Sequence, residues 1–424
     1  MSVVSNLVSD VRLPRMVKAR QYFDNTEIEN VPKELERQFL RPEIYGTIHP
    51  GMSIAITCGS RGIDNYPLII KEIVQFCKDK GAKPFIIPAM GSHGGAVSEG
   101  QRLICETNGV TEEYCGCPIK ATMSVTRIGV TEDGSFDVCI DSYAAEADGI
   151  ILVNRIKNHT ALRGDYESGL MKMMAIGLGK QYGASLCHRA GYERMAELVP
   201  MIGKTVLNNA SVLFGVGIVD NAYDKNYKIA VLTKDEIPIV EKELLKEAKR
   251  LMPRLLPGSA DVLVVDRIGK NISGSGADPG ITGRLTYKYS GVESFQAGKV
   301  AVLDITDETH GNIHGVGYVD VINRRVFEKA DLDKTYPNSI TSTTLMSDKI
   351  PVMMKNDRDT IKCAIKTCQP ADPENIRLIR ITDTLHISEI LISECMVDSV
   401  RHIPNLEITD EIIDWEFNEE GNLW

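Results

Sequence analysis

Along this chain, short apolar runs alternate with longer stretches of helical spacing. Residues 52–57 form a short apolar strand. Asp64 to Lys80 follows, with Leu68, Ile69, Ile73, Phe76 and Cys77 on a helical period, and it stops at Gly81. Pro84–Pro88 reads as a strand and 97–108 as an amphipathic helix. Gly149–Val153 is a further strand, leading into the segment Asn154–Arg189. A strand near Val212–Val219 and a long charged helix at Lys234–Leu251 precede Pro253-Arg-Leu-Leu-Pro257-Gly258, the clearest Pro/Gly punctuation in the chain. The second half restarts with a strand at Asp261–Asp266, which runs into a Gly/Ser-rich loop spanning Gly269 to Gly280. Lys299–Asp304 reads as a strand and Ser388–Val400 as a helix.

Strands alternating with helices predict an α/β fold, with two α/β domains, largely parallel sheets and an active-site cleft between the domains. Residues 1–257 are expected to form the catalytic domain and 258–400 a second domain that closes over the substrate. The acidic tail 401–424 is expected to pack back on the first domain or to fray. Ligands of such folds sit beyond the carboxyl ends of the strands. Arg61, His93 and His159 each follow a predicted strand, and the Gly/Ser loop follows the first strand of the second domain.

Composition narrows the classes. A length of 424 residues suits two domains, and the net charge of −10 gives nucleic acid no basic footprint. No apolar run approaches a membrane span, and Asp10, Arg12 and Arg15 stand where an export signal would be apolar. Ten cysteines are scattered without a CxxC pair, as expected of buried thiols in a reducing cytoplasm.

The candidate chemistry lies in three places. His93 stands in Met90-Gly-Ser-His-Gly-Gly95, where glycines let backbone approach a ligand. His159 stands in the polar stretch Asn154-Arg-Ile-Lys-Asn-His-Thr160. Lys172 lies among Met171, Met173, Met174 and Ala175, where an ammonium is costly without a task and where desolvation frees its amine as an attachment point. The alternative is a lysine pointing outward beside Glu167. His188, sixteen residues on, suits nickel, zinc or iron but needs ligands from elsewhere. Gly177-Leu-Gly-Lys180 lacks the spacing of a phosphate loop. His310 and His314 have i, i+4 spacing, but the glycines around them oppose a helix.

Ser168-Gly-Leu-Met-Lys172, with His188 sixteen residues later, His159 upstream and His93 in its Gly-rich loop, resembles the nickel-dependent lactate racemase family. These are racemases and epimerases of 2-hydroxy acids. The resemblance covers most of the chain and is stronger in the first domain. It implies a nickel pincer nucleotide, a pyridinium bisthiocarboxylic acid mononucleotide bearing nickel, attached through Lys172 as a thioamide and with His188 as the protein ligand to nickel. It implies His93 and His159 as the two catalytic histidines and Arg61 as the arginine that binds the substrate carboxylate. The family's lactate-specific members have Asp-His-Thr-Arg-Pro where this chain reads Cys58-Gly-Ser-Arg61-Gly62. They also carry aromatic, Gln and Lys residues where this chain begins its Gly/Ser loop.

Taking hydride from a 2-hydroxy acid avoids a carbanion beside the carboxylate, and the planar 2-oxo acid can accept hydride back on either face. One base per enantiomer is then needed, hence two histidines. Lys270, Asn271, Ser273 and Ser275 are expected to contact substrate hydroxyls, pointing to a larger hydroxylated or sugar acid rather than lactate. Alternatively the loop forms a phosphate nest for the cofactor. The implied partners are the small 2-hydroxy acid and the host enzymes that build the cofactor, with neither nucleic acid nor membrane. Two rivals stand beside this reading. An NAD-type 2-hydroxy acid dehydrogenase would need a GxGxxG after a strand, and the chain has none. A non-enzymatic binder of small ligands would not need Lys172 and His188 at their spacing.

Overall fold

Strands that are apolar on both faces must be covered on both, and that requirement organises this chain. The computed structural model describes residues 3–60, 62–160, 162–284 and 295–424. Among them the strands run, in chain order, β1 (Met16–Gln21), β2 (Ser53–Cys58), β3 (Lys83–Pro88), β4 (Val125–Val130), β5 (Asp137–Asp141), β6 (Gly149–Arg155), β7 (Val212–Asp220) and β8 (Asn226–Thr233). There follow β9 (Ser259–Ile268), β10 (Gln296–Ile305), β11 (Val321–Asn323), β12 (Val352–Met354), β13 (Leu378–Ile381), β14 (Glu389–Ser393) and β15 (Leu406–Ile413).

The chain divides into two compact units, Asp24–Met252 and Met1–Phe23 with Pro253–Trp424. The sequence reading set 1–257 against 258–400, so the first 23 residues fall on the other side of that division.

In the unit Asp24–Met252, a five-stranded sheet has the order β3-β2-β6-β7-β8. It is parallel except for β8, which runs antiparallel to β7. Alternate residues of β6 serve the two faces. Ile150 and Leu152 pack with Met171, Met174 and Leu178, while Ile151 and Val153 pack with Ile69 and Ile73 of the helix Tyr66–Asp79. Both layers are dry, as a buried parallel sheet demands. β4 and β5 form a separate antiparallel ribbon.

The other unit carries an eight-stranded sheet of order β12-β11-β10-β9-β13-β14-β1-β15. Its first five strands are parallel and its last three antiparallel. Leu263 and Val265 of β9 face one core, Val262 and Val264 the other. The expected α/β architecture with largely parallel sheets is what the structure has.

One local expectation is corrected. Ser388–Val400 is not one helix. Glu389–Ser393 pairs with β13 and β1 and buries Ile390 and Ile392 in period two, and within that span only Val397–Val400 is α-helical. The tail packs back, as β15 pairs antiparallel with β1 from Met16↔Ile413 to Gln21↔Leu406, and both strands lie in the unit that contains Pro253–Trp424. No described helix is long and apolar enough to cross a membrane.

Candidate active site

Three parallel strands deliver the predicted residues to one sheet edge. β2 ends at Cys58 and passes to Ser60, β3 ends at Pro88 and passes to His93, and β6 ends at Arg155 and passes to His159. His93 is exposed, and its Nδ1 lies 2.5 Å from the Ser60 hydroxyl. Arg61 lies outside the described residues.

The segment carrying Lys172 is held from three sides. Ser168 pairs with Lys157 in an antiparallel bridge, and Asn154 donates its side-chain amide to the Gly169 carbonyl at 2.8 Å. Glu241, from the helix Ile237–Leu251, accepts the Met171 backbone N–H at 3.0 Å. Gly169 is required there, since a Cβ would stand 2.1 Å from a Glu241 carboxylate oxygen. Burial pushes the Glu241 carboxyl up to about 8, against the opposing pull of the Met171 and Leu170 amides. Lys172 is half-buried while Met171, Met173 and Met174 fill the core.

In a straight helix, residues sixteen apart are about 24 Å apart along the axis. This chain does not stay straight. Leu170–Lys172 runs into a π-helical turn at Met173–Gly177, and Lys180 then opens the next helix, Lys180–Ala190, from a left-handed conformation with φ of 54°. The second helix folds back on the turn. A Cβ on Gly183 would sit 2.5 Å from the Ala175 carbonyl oxygen, although eight residues of straight helix span about 12 Å. π-Turns of this kind are frequent at functional sites.

The reversal brings His188 within the field of Lys172. The His188 imidazole is held below its usual range, first by burial and then by the Lys172 ammonium. His159 is lowered further. Burial is the largest cause, followed by Lys172, Arg163, Lys157 and His188. Lys172, His159 and His188 therefore form one electrostatic cluster. Nδ1 of His159 accepts the Leu162 backbone N–H at 2.9 Å, so the neutral ring carries its proton on Nε2. The His159 backbone N–H donates to the buried Glu167 carboxylate at 2.7 Å, and Glu167 is paired on its other oxygen with Lys249 at 2.7 Å. Glu167 is thus a partner of the His159 loop.

The remaining candidates lie in the other unit. Lys270 donates to the Gly274 carbonyl at 2.6 Å, Asn271 accepts from Thr306 at 2.7 Å, and buried Ser275 donates to the Ala277 carbonyl at 2.9 Å. Ser273 lies 3.5 Å from Ser275. Lys270, Ser273 and Ser275 thus bond within the loop, and Asn271 ties it to Thr306. His310 is left-handed, and His314 pairs with Asp348 at 2.8 Å, so these two histidines do not share a helix face. Among the described residues, no group of three or more His, Cys, Asp or Glu side chains is placed to hold a metal.

Sequence reasoning missed Glu241, Asn154, Lys180 and Asp141. Glu241 did leave a trace, as a charge on the apolar stripe of Ile237, Leu244, Leu245 and Ala248. The others act through contacts distant in sequence.

Fold and site together define a two-unit α/β protein with a lysine–histidine cluster at the carboxyl edge of a parallel sheet. The chain belongs to the family described as Domain of unknown function (DUF362), whose profile matches residues 54–271. No curated protein matches it. Its fold is similar to that of the lactate racemase apoprotein from Thermoanaerobacterium thermosaccharolyticum, with a TM-score of 0.51 and 14% identity over 87% of this chain and 98% of that one.

Proposed function

We propose that this protein is a racemase or epimerase that inverts C2 of a 2-hydroxy acid, using a nickel pincer nucleotide attached to Lys172. The observation that carries the reading is the doubled-back helix, which brings His188 back toward Lys172, beside His159 on the loop after β6. The residues fit such a group. Lys172, Lys157 and Arg163 all raise the positive potential at His159, as suits an anionic nucleotide. His188 would be the protein's ligand to the nickel ion, whose other donors the cofactor would bring. When bound, the group supplies a hydride acceptor.

The chain's residues do the rest. His93 and His159 are the two bases, one for each enantiomer: one takes the hydroxyl proton of substrate and the other, protonated, returns one to product. With Nδ1 of His159 occupied by the Leu162 amide, Nε2 is its exchanging atom. Removal of the hydroxyl proton with hydride leaves a 2-oxo acid, and reversal on the other face inverts the centre. Arg61 pins the carboxylate, so that the oxo acid turns rather than leaves. The substrate is a larger hydroxylated or sugar acid, whose hydroxyls replace the present hydrogen-bond partners of Lys270, Asn271, Ser273 and Ser275. Host enzymes that make the cofactor are required partners, and the cytoplasm is the compartment.

A panel of 2-hydroxy and sugar acids, assayed for inversion at C2, tests the reading. His93→Ala and His159→Ala should each abolish inversion with the cofactor still attached. Retained turnover in both variants, or solvent deuterium appearing at C2 of the product, would contradict it.

A further inference from the structure

We propose that Lys180 is a positioning residue which, with Asp141 and Gln101, forms a buried strut that sets the His93 loop against the segment carrying Lys172 and His188. The assignment of His93 to the reaction rests on the function proposed above, whereas the strut itself is geometric.

All three side chains are fully buried. The Lys180 ammonium pairs with Asp141 at 2.8 Å, donates to the Pro88 carbonyl, and reaches the Gln101 side-chain oxygen at 3.3 Å. Gln101 then turns its amide to the carbonyls of Gly91 at 2.8 Å and His93 at 3.2 Å. One cation thereby connects the end of β5, the end of β3, the helix Ser98–Thr107 and the backbone of the His93 loop. Asp141 closes the circuit. Its own backbone N–H donates to the Leu178 carbonyl at 2.8 Å, two residues before Lys180, and its carboxylate caps the Tyr143 and Ala144 amides. Gly91 adds a direct link, donating to the Gly177 carbonyl at 3.3 Å.

Stability alone does not explain this arrangement. A buried ion pair can usually be exchanged for apolar side chains of similar volume at little cost, while a fixed set of charge-assisted bonds specifies one geometry. Lys180 also occupies the left-handed region, which disfavours any residue with a Cβ. The strained turn and the buried charge coincide where the chain reverses between Lys172 and His188. A small shift at this point displaces the His93 loop and the cluster together.

The test separates position from packing. Lys180→Met leaves Asp141 uncompensated and is expected to destabilise the fold. Lys180→Met with Asp141→Asn removes both charges, keeps the cap at Tyr143 and should melt close to the parent. Gln101→Met cuts the link to the loop alone. In isotope-labelled protein, the double variant and Gln101→Met should both shift the His93 ring resonances and leave those of His402, in the other unit, unchanged. Turnover should fall on the order of ten- to a hundred-fold, in kcat rather than KM. Parent-like His93 resonances and parent-like kcat in both variants would overturn the proposal. If the loaded parent inverts no 2-hydroxy acid, the functional reading fails, and the His93 resonances still decide the strut.

Discussion

Glu241 carries a charge problem that pH should expose. Its carboxyl sits under the Lys172 segment with a pKa of about 8, against an ordinary 4.5. Between those values the folded chain keeps a proton that the unfolded chain releases, so stability is fully present below pH 4.5 and is lost as pH rises toward 8. Glu241→Gln retains an oxygen for the Met171 amide and cannot ionise. Urea unfolding at pH 5 and pH 8 should show the variant gaining on the parent by roughly 2–4 kcal/mol across that interval. Identical pH slopes would contradict the assignment. At this scale Lys172 and His188 stood out as candidates, through an odd lysine among methionines and the sixteen-residue interval of the family they resemble. Lys180 was read only as part of a failed phosphate loop, because its partners Asp141, Gln101 and Pro88 are 39 to 92 residues away in sequence.

At the scale of elements, the π-turn and the reversal after it convert a sequence interval into a cluster. Gly183 is its most exacting position. Gly183→Ala would press a methyl group against the Ala175 carbonyl and force the two helices apart. The expected cost is about 1–3 kcal/mol in thermal unfolding. In the folded variant, the His188 pKa should rise toward its ordinary range as Lys172 recedes and burial relaxes. An unchanged His188 titration in a destabilised variant would show that the reversal does not set the pair. The parallel strands β2, β3, β6, β7, β9 and β10 were legible because dry faces leave unbroken apolar runs, whereas β11, β12 and β13, of three or four residues each, were too short to stand out. Ser388–Val400 was misread because Ile390 and Ile392 fit either period over so short a span, and pairing with β13 and β1 decided it. The ribbon of β4 and β5, half-exposed and mixed in composition, left little apolar pattern to read.

At the scale of the molecule, the first 23 residues and the tail belong to the same unit, joined through β1 and β15. Beyond β15 the chain remains tied. The Trp415 indole donates to the Pro14 carbonyl at 2.8 Å, the Leu423 amide donates to Asp357 at 2.8 Å, and Trp424 lies 4.8 Å from the Arg325 guanidinium. Removing residues 414–424 should lower the melting temperature by roughly 5–10 °C. A truncated chain that melts like the parent would show these contacts to be incidental. The sequence left packing back and fraying both open, since the tail mixes acidic residues with Ile408, Ile412, Ile413 and Trp415, and only its partners decide between them. The fold likeness to a lactate racemase apoprotein covers 87% of the chain, yet at 14% identity it leaves the site to its own chemistry. That chemistry is tested most directly by intact-protein mass spectrometry with nickel analysis, on protein from cells able to make the cofactor. The account predicts a covalent adduct of nucleotide mass with bound nickel, both absent in Lys172→Ala. An unmodified, nickel-free parent chain from the same cells would contradict it.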